Sequence, residues 1–262
     1  RKERFLAFAF ALVCLAGAVG LGYTRLADIA RGQAKRDGMN ALSREVAAMP
    51  RVTVTGCAID LRHKGKSIEA DAALKFENRT DGPVASYNFS LNPGLRVMSV
   101  TRGGSNVPFE RKHHMIMVAP GSPLPPGASD SLTIRYRGRI DEDACYADVY
   151  VDKRESHEAM MGMTARRYAF ITPKYVLLTP ECLWYPASGA PYGSVFPGSL
   201  ARDFVNFTLR VETNPRLVAV SQGVAGKTGD GVWSFAPEYP LPRISLAVGD
   251  YEKKAVTVDG VE

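Results

Sequence analysis

The stretch that decides the fold is Ile68-Glu-Ala-Asp-Ala-Ala-Leu-Lys-Phe-Glu77. Every even-numbered position from 68 to 76 is apolar, and four of the five odd-numbered positions from 69 to 77 are charged. Because successive side chains of a β-strand point to opposite faces, this alternation predicts a strand with one buried and one wet face. Strands of this kind are typical of antiparallel sheets.

Two later runs repeat the pattern, and the residues predicted to face inward are Leu132, Ile134 and Tyr136 in the first, and Phe207, Leu209 and Val211 in the second. From residue 51 onward, short alternating runs are separated by clusters of Gly, Pro, Asn and Asp. This texture predicts an all-β domain over residues 51–262, folded as an antiparallel β-sandwich. Residues 152–202 are irregular, and we expect any surface that faces a partner or substrate there.

The composition is that of a globular chain with a sizeable core. Hydrophobic residues make up 45% of its 262 positions and aromatic residues 9%. The net charge of +6 arises mainly from nine basic residues before position 52. This placement suits a membrane flank. The rest of the chain has no basic stripe with interleaved aromatics, so we expect no nucleic-acid binding.

An uncharged apolar segment of twenty residues runs from Phe5 to Thr24. As a helix it would cover about 30 Å, the thickness of a bilayer's hydrocarbon. We favour a transmembrane helix; the alternatives are a signal peptide and a buried core helix. Basic residues lie tightest on its N-terminal side, which favours an N-terminus inside and the bulk of the chain outside. The expected location is the cell membrane, with residues 51–262 extracytoplasmic and lipid as a partner.

The next segment, residues 25–50, has helix formers, two glycines and a terminating proline at Pro50. It predicts a short juxtamembrane helix or a broken helix. The expected division is a transmembrane helix over 1–24, a helical linker over 25–50 and a sandwich over 51–262. Since the chain begins with Arg, we expect the span to be the last of several.

Three cysteines lie beyond the apolar segment, at Cys57, Cys145 and Cys182. This odd number allows at most one disulfide within the domain. In an oxidising compartment the pair would be Cys145 with Cys182, although their spacing does not establish the bond. Three buried thiols are the alternative.

The histidines of the sequence do not have the spacing that a metal or acid–base site requires. His157-Glu158 begins like the zinc motif H-E-x-x-H, but Met161 replaces the second histidine. His113 and His114 are adjacent, so their side chains would point apart in a strand. A weaker hypothesis is a copper(I) site, built from His157, Met160, Met161 and Met163 with His114, Met115 and Met117.

Asp141-Glu142-Asp143 could bind a hard cation or form a solvated acidic turn, and we favour the turn. The sequence contains no nucleophile elbow, phosphate loop or dinucleotide fingerprint. We therefore expect no catalytic residue, no metal site and no cofactor within this chain.

One segment, Leu178 to Gly193, concentrates prolines and aromatic residues around Glu181, its only charged residue. Such residues close a sandwich or line a groove. If the segment lines a groove, Trp184 and Tyr185 are the predicted substrate-binding residues, and Glu181 is the group predicted to bind a substrate amine.

Several stretches, in their order over about 200 residues, resemble the N-terminal sandwich domain of zinc metallopeptidases of the aminopeptidase N type (gluzincins). They are Leu91-Asn-Pro-Gly-Leu95, Pro108-Phe-Glu110, Leu124-Pro-Pro-Gly127 before Leu132-Thr-Ile-Arg-Tyr136, Trp184-Tyr-Pro186, Asp203-Phe204 to Val211, and Val220-Ser-Gln-Gly223 to Gly249-Asp-Tyr251. The resemblance implies a non-catalytic sandwich that walls a peptide cleft. Zinc, its ligands and the general base would belong to a following domain, expected just past Glu262.

The chain departs from better-known members, whose sandwich carries an Arg-x-x-Phe-Pro-Cys-x-Asp-Glu-Pro signature; here Trp184-Tyr-Pro186 stands in that region without the acidic tail. Its texture is similar to a bacterial subgroup in which the peptidase module follows the helices of an ABC-type transporter permease. An ABC-type ATPase subunit would then be a partner. The alternative function is an extracytoplasmic interaction or scaffold module of such a transporter, without peptidase activity.

Overall fold

A computed structural model describes residues 2–145, 169–190 and 203–252. It begins with one long helix, α1, Lys2–Ala47. The apolar first half of α1 is exposed, and the helix is long and apolar enough to cross a membrane, a property that signal sequences share.

The predicted boundary between a membrane helix and a separate juxtamembrane helix is absent, because α1 continues unbroken through Thr24 and Arg25. Two interior glycines weaken a helix by about 1 kcal/mol each but do not stop it. Packing explains the glycine at position 38. A Cβ there would lie 3.1 Å from His113 Nε2, so glycine lets the helix approach this ring. The helix ends before Pro50, where the sequence placed its end.

Sixteen strands follow α1 in the described residues. They are β1 Thr53–Lys64, β2 Ser67–Glu77, β3 Tyr87–Ser90, β4 Leu95–Arg102, β5 Ser105–Asn106, β6 Phe109–Lys112, β7 Met115–Val118, β8 Ser129–Gly138, β9 Ala169–Ile171, β10 Val176–Leu178, β11 Ala187–Ser188, β12 Asn206–Glu212, β13 Val218–Ser221, β14 Val224–Gly229, β15 Val232–Ala236 and β16 Leu246–Gly249.

The strands form one large and two small sheets. The eight-stranded sheet has the order β14-β15-β12-β1-β2-β8-β4-β5, and the four-stranded sheets have the orders β13-β16-β10-β9 and β11-β3-β7-β6. One pairing corrects the expected antiparallel sandwich: β1 and β12 are parallel, in register from Gly56 with Asn206 to Arg62 with Glu212. The two strands are far apart in sequence, so no tight turn forces them to run in opposite directions.

One hydrophobic core contains residues of all three sheets, which confirms the mostly β architecture. The predicted inward positions are buried, including all five even-numbered residues from Ile68 to Phe76 and the inward sets of the two later runs. Phe76 on the large sheet meets Tyr87 and Phe89 on a small sheet, with ring centroids 4.8 and 5.8 Å apart. These edge-to-face contacts pack the small sheet of β3 against the large sheet.

The second half of α1 packs on the sandwich through a docking face, defined here as Lys35, Arg36, Met39, Leu42, Ser43 and Val46. Leu42 and Val46 form a small apolar cluster with Met115, the first residue of β7. Met39 is fully buried. The helix is therefore part of the folded domain along this face.

Polar contacts fix the same interface. The fully buried Arg36 donates from Nη1 to the carbonyl oxygens of Asp143 and Cys145, and Lys35 forms an ion pair with Asp141. Ser43 Oγ donates to the carbonyl of Met39, 2.8 Å away, and lies 3.0 Å from His114 Nε2. Since that hydroxyl proton is already used, His114 Nε2 is the donor of this contact, and burial, which lowers the pKa of His114, keeps its ring neutral near pH 7.

The neutral ring predicts a pH-dependent stability. Burial lowers the pKa of His114 from 6.5 to about 4, and the nearby Arg111 and His113 add to the shift. Between these two values the unfolded chain binds more protons than the folded one. The free energy of unfolding should therefore fall by about 3 kcal/mol from this residue alone as the pH drops from about 6.5 to 4.

Urea unfolding of the wild type and of His114→Gln, followed by tryptophan fluorescence at about pH 7, 5.5 and 4, isolates this contribution. The carboxylates titrate equally in both proteins, so the wild type should lose more stability than the variant. Identical pH dependence would mean that His114 takes up its proton freely in the folded protein.

Candidate functional site

The predicted site residues lie on a tight turn after β10. Thr179 precedes a short 3-10 helix, Pro180–Cys182, which begins with proline and ends at Leu183. Leu183 adopts a left-handed conformation with φ 54° and ψ 47°. The chain then passes through Trp184 and Tyr185 into β11. This turn, Pro180–Leu183, is called the site turn below.

Glu181 is the partly exposed charge on the site turn. Its carboxylate lies 3.6 Å from the guanidinium of Arg243, and each side chain is about one-fifth exposed. A carboxylate with this exposure can accept a second cationic partner from solvent. The role of Glu181 as an amine-binding group stays a prediction.

Beside the site turn lies a pocket of about 110 Å³, whose walls include Pro180, Leu183, Tyr185 and Arg243. The lining also includes Arg51 and Asp203, which are joined by two hydrogen bonds of 3.0 and 2.8 Å. Asp203 also accepts from the backbone nitrogen of Val54, 2.8 Å away. The pocket is therefore lined by apolar residues together with three charged ones, Arg51, Asp203 and Arg243.

The two predicted aromatic residues have different positions. Trp184 is fully buried in the core and is not part of the pocket wall. Tyr185 lines the pocket, packs 5.5 Å from the ring of Phe207 and accepts at its hydroxyl from the backbone nitrogen of Ile244, 3.2 Å away. Tyr185 lines the pocket itself, whereas Glu181 is related to it through its partner Arg243, and Trp184 packs edge-to-face on Tyr185 with ring centroids 4.7 Å apart.

The site turn is tied to the rest of the domain by the buried side chain of Asn92. Asn92 Nδ2 donates to the carbonyls of Cys182, at 2.8 Å, and Asp141, at 3.1 Å. Its Oδ1 accepts from the backbone nitrogens of Gly94, at 2.9 Å, and Asp141, at 2.8 Å. All the hydrogen-bonding capacity of this amide is used on three chain segments.

The cysteines of the predicted disulfide are not bonded to each other in this structure, and both are buried. Burial raises the pKa of the Cys182 thiol well above its usual value, and the nearby Cys145 adds to the rise. The Sγ of Cys182 lies 2.9 Å from the carbonyl of Thr179. A disulfide between Cys145 and Cys182 stays a prediction.

The acidic run has a structural role. Asp141 caps the short 3-10 helix Glu142–Ala144 and forms an ion pair with Lys35. His113 and His114 were expected in a strand, but they form the turn between β6 and β7, where His113 has a left-handed backbone with φ 48° and is exposed while His114 is buried. His157, Met160, Met161 and Met163 of the copper hypothesis lie outside the described residues. In the described part of the chain, no group of three His, Cys, Asp or Glu side chains could hold a metal ion.

Sequence reasoning missed the charged partners of the pocket, Arg51, Asp203 and Arg243. A signal for Arg243 exists in Pro240-Leu-Pro-Arg-Ile244, where one charge stands among residues that bury easily. In the sequence, Asn92 stands out only as part of the stretch Leu91-Asn-Pro-Gly-Leu95. Its neighbours in space come from segments about 50 and 90 residues away, so local sequence does not reveal them.

Comparison of the sequence with protein-family models and with curated proteins finds no match. Solved structures do match the fold. An M1 zinc metallopeptidase from Deinococcus radiodurans is similar over 76% of this chain and 42% of its own, with a TM-score of 0.53 and 18% identity. The fold is shared with M1 zinc metallopeptidases.

Two other similar structures are native yeast LTA4 hydrolase and Legionella pneumophila aminopeptidase A in complex with aspartic acid. The first matches with a TM-score of 0.51 and 15% identity over 76% of this chain, and the second with 0.54 and 11% over 78%. This chain spans 29% and 22% of their lengths. At these identities the likeness concerns the fold alone.

The buried thiols give a testable chemical property. Burial raises the pKa of Cys57 to about 12 and that of Cys182 in the same direction, so both are neutral at pH 8. In the Cys14→Ser variant, folded and reduced, Cys57, Cys145 and Cys182 should resist iodoacetamide because the thiolate is the reactive form. After unfolding in urea, mass spectrometry should find all three modified.

Rapid modification of Cys182 in the folded protein would contradict its burial. Without reductant, modification of Cys57 alone after unfolding would show that Cys145 and Cys182 form the predicted disulfide.

Proposed function

We propose that this domain is the non-catalytic wall of the peptide cleft in a membrane-anchored zinc aminopeptidase-like protein. The observation that carries the proposal is the shared fold, which matches M1 zinc metallopeptidases over 76% of the chain. One of the similar Deinococcus structures is bound to a Tyr-Ser-Ala substrate. We therefore take a peptide as the substrate class of the whole protein.

The proposed contribution of this chain is to position the peptide's N-terminus. The carboxylate of Glu181 is partly exposed beside the pocket and shares its charge with Arg243. A protonated amine could take up the exposed side of this carboxylate and gain a charge-assisted hydrogen bond. Tyr185 and Leu183 would then bound the space next to the first side chain.

Zinc is assigned to a catalytic domain that would follow this one, together with the general base. The donor groups of the described residues do not fit a zinc site, since no three of them cluster. No catalytic step is therefore assigned to this chain. The apolar half of α1 is proposed as the anchor, with the sandwich outside the cell membrane.

A second candidate is an extracytoplasmic scaffold of an ABC-type transporter, with an ATPase subunit as partner. The observation in its favour is the continuous α1, whose docking face joins the apolar half rigidly to the sandwich. A scaffold would use this rigidity without any peptidase chemistry.

Hydrolysis of aminoacyl amides by the full-length protein in membranes separates the two candidates. A peptidase should release the amine product, and a zinc chelator should stop the release. Absence of chelator-sensitive hydrolysis would contradict the peptidase proposal and leave the scaffold.

The role of Glu181 has its own test in the same assay. Glu181→Gln should raise KM about tenfold, the value of one charge-assisted contact, with a smaller effect on kcat. Glu77→Gln is the matched control, because Glu77 forms only a surface ion pair with Arg79. Equal KM values for the two variants would show that Glu181 does not bind the substrate. The peptidase proposal would not be affected by this result.

A further inference from the structure

The site turn contains a backbone conformation that its sequence does not favour. Leu183 has a left-handed conformation, with φ 54°. A leucine in this region suffers contact between its Cβ and the backbone, so the conformation persists only when neighbouring groups hold it. Left alone, Leu183 would return to an extended or right-handed conformation, and the site turn would change shape.

Beyond the bond from its own amide to the carbonyl of Pro180, the site turn around Leu183 is held by one residue, Asn92. The backbone nitrogen of Asn92 donates to the carbonyl of Leu183, 2.8 Å away. The side-chain Nδ2 of Asn92 donates to the preceding carbonyl, that of Cys182, also at 2.8 Å. Two consecutive carbonyls of the site turn are thus fixed by Asn92.

Asn92 is fixed in turn by the loop that receives α1. Its side chain binds both the backbone nitrogen and the carbonyl of Asp141. The two loops touch closely, since a Cβ on Gly94 would lie 2.2 Å from the carbonyl oxygen of Arg139. This loop also carries the helix contacts, because Asp141 pairs with Lys35 and the carbonyls of Asp143 and Cys145 accept from Arg36.

We propose that docking of α1 sets the conformation of the site turn, through Asp141 and Asn92. With α1 docked, Leu183 is held in the left-handed conformation and Glu181 keeps its place beside the pocket. With α1 undocked, the loop around Asp141 loosens, Asn92 loses half of its side-chain partners, and Leu183 relaxes. The helix thereby controls the site turn through the loop on which it docks, whether or not the protein is a peptidase.

Amide hydrogen exchange of the whole chain in detergent tests this coupling. The double variant Lys35→Met with Arg36→Met removes the polar half of the docking face. Arg31→Met is the matched control, since Arg31 is an exposed cation of the same helix, paired only with Asp28. The readouts are the amides of Cys182 and Leu183, which donate within the site turn, and the amides of β12 as a remote reference.

In the double variant, amide exchange at Cys182 and Leu183 should rise about tenfold. When the site turn opens, Leu183 loses the strain of its left-handed conformation, and this strain corresponds to about a tenfold change in the opening equilibrium. Exchange in β12 and in the Arg31→Met protein should stay at the wild-type value. Faster exchange along α1 with an unchanged site turn would overturn the proposal.

Leu183→Gly tests whether the left-handed residue is the element that responds. Glycine adopts this conformation without strain, so undocking α1 in the Leu183→Gly background should raise exchange at the site turn by less than about threefold. An increase as large as that in the leucine background would overturn the proposal.

Faster exchange in β12 would reveal that the double variant unfolds. In that case Asp141→Asn tests the coupling between α1 and the site turn. This substitution keeps the cap of the short 3-10 helix and the backbone bonds to Asn92, and it removes only the charge that pairs with Lys35. Exchange at the site turn should then rise about two- to threefold. An unchanged rate in Asp141→Asn would overturn the coupling.

Discussion

The side-chain amide of Asn92 is the constraint on which the functional end of the domain depends. It is buried, and it makes four hydrogen bonds to backbone groups of three chain segments. A backbone group left without its partner in such a place costs about 1–3 kcal/mol. Separating the turn at Gly94, the loop at Asp141 or the site turn from the other two therefore costs free energy.

This constraint links two parts of the chain that differ in chemistry. One is α1, with an exposed apolar half and a docked half that buries Arg36 against backbone carbonyls. The other is the pocket beside Glu181 and Arg243. Hydrogen bonds thus connect the proposed membrane anchor with the proposed peptide-binding wall. Under either candidate function, a change in the position of the helix would reach the sandwich through these bonds.

Much of the fold was predictable, because alternation along a strand is a local signal. The inward residues of β2, β8 and β12 are those that the pattern indicates. The parallel pairing of β1 with β12 was not predictable, since nothing local fixes the direction of strands that are far apart in sequence. Continuity of α1 was missed because Gly32 and Gly38 weaken a helix, while the contact of Gly38 with His113 is tertiary.

The candidate site was predictable only as a segment. Proline and aromatic residues around Glu181 marked a stretch that borders the pocket, yet the same pattern could not distinguish the buried Trp184 from Tyr185 at the pocket. Arg243 and Asp203 come from distant parts of the chain, and only the closed sandwich brings them to the pocket. A left-handed Leu183 has no sequence signal, because glycine or asparagine is the usual residue there.

Proton NMR of the side-chain amide of Asn92 tests the central constraint most directly. In protein labelled with ¹⁵N-asparagine, with the signal assigned by its loss in Asn92→Asp, the two Nδ2 protons should exchange slowly with water, because each is hydrogen-bonded to a buried carbonyl. Exchange at the rate of a free asparagine side chain would contradict the account, since Asn92 would then join neither the helix-bearing loop nor the site turn.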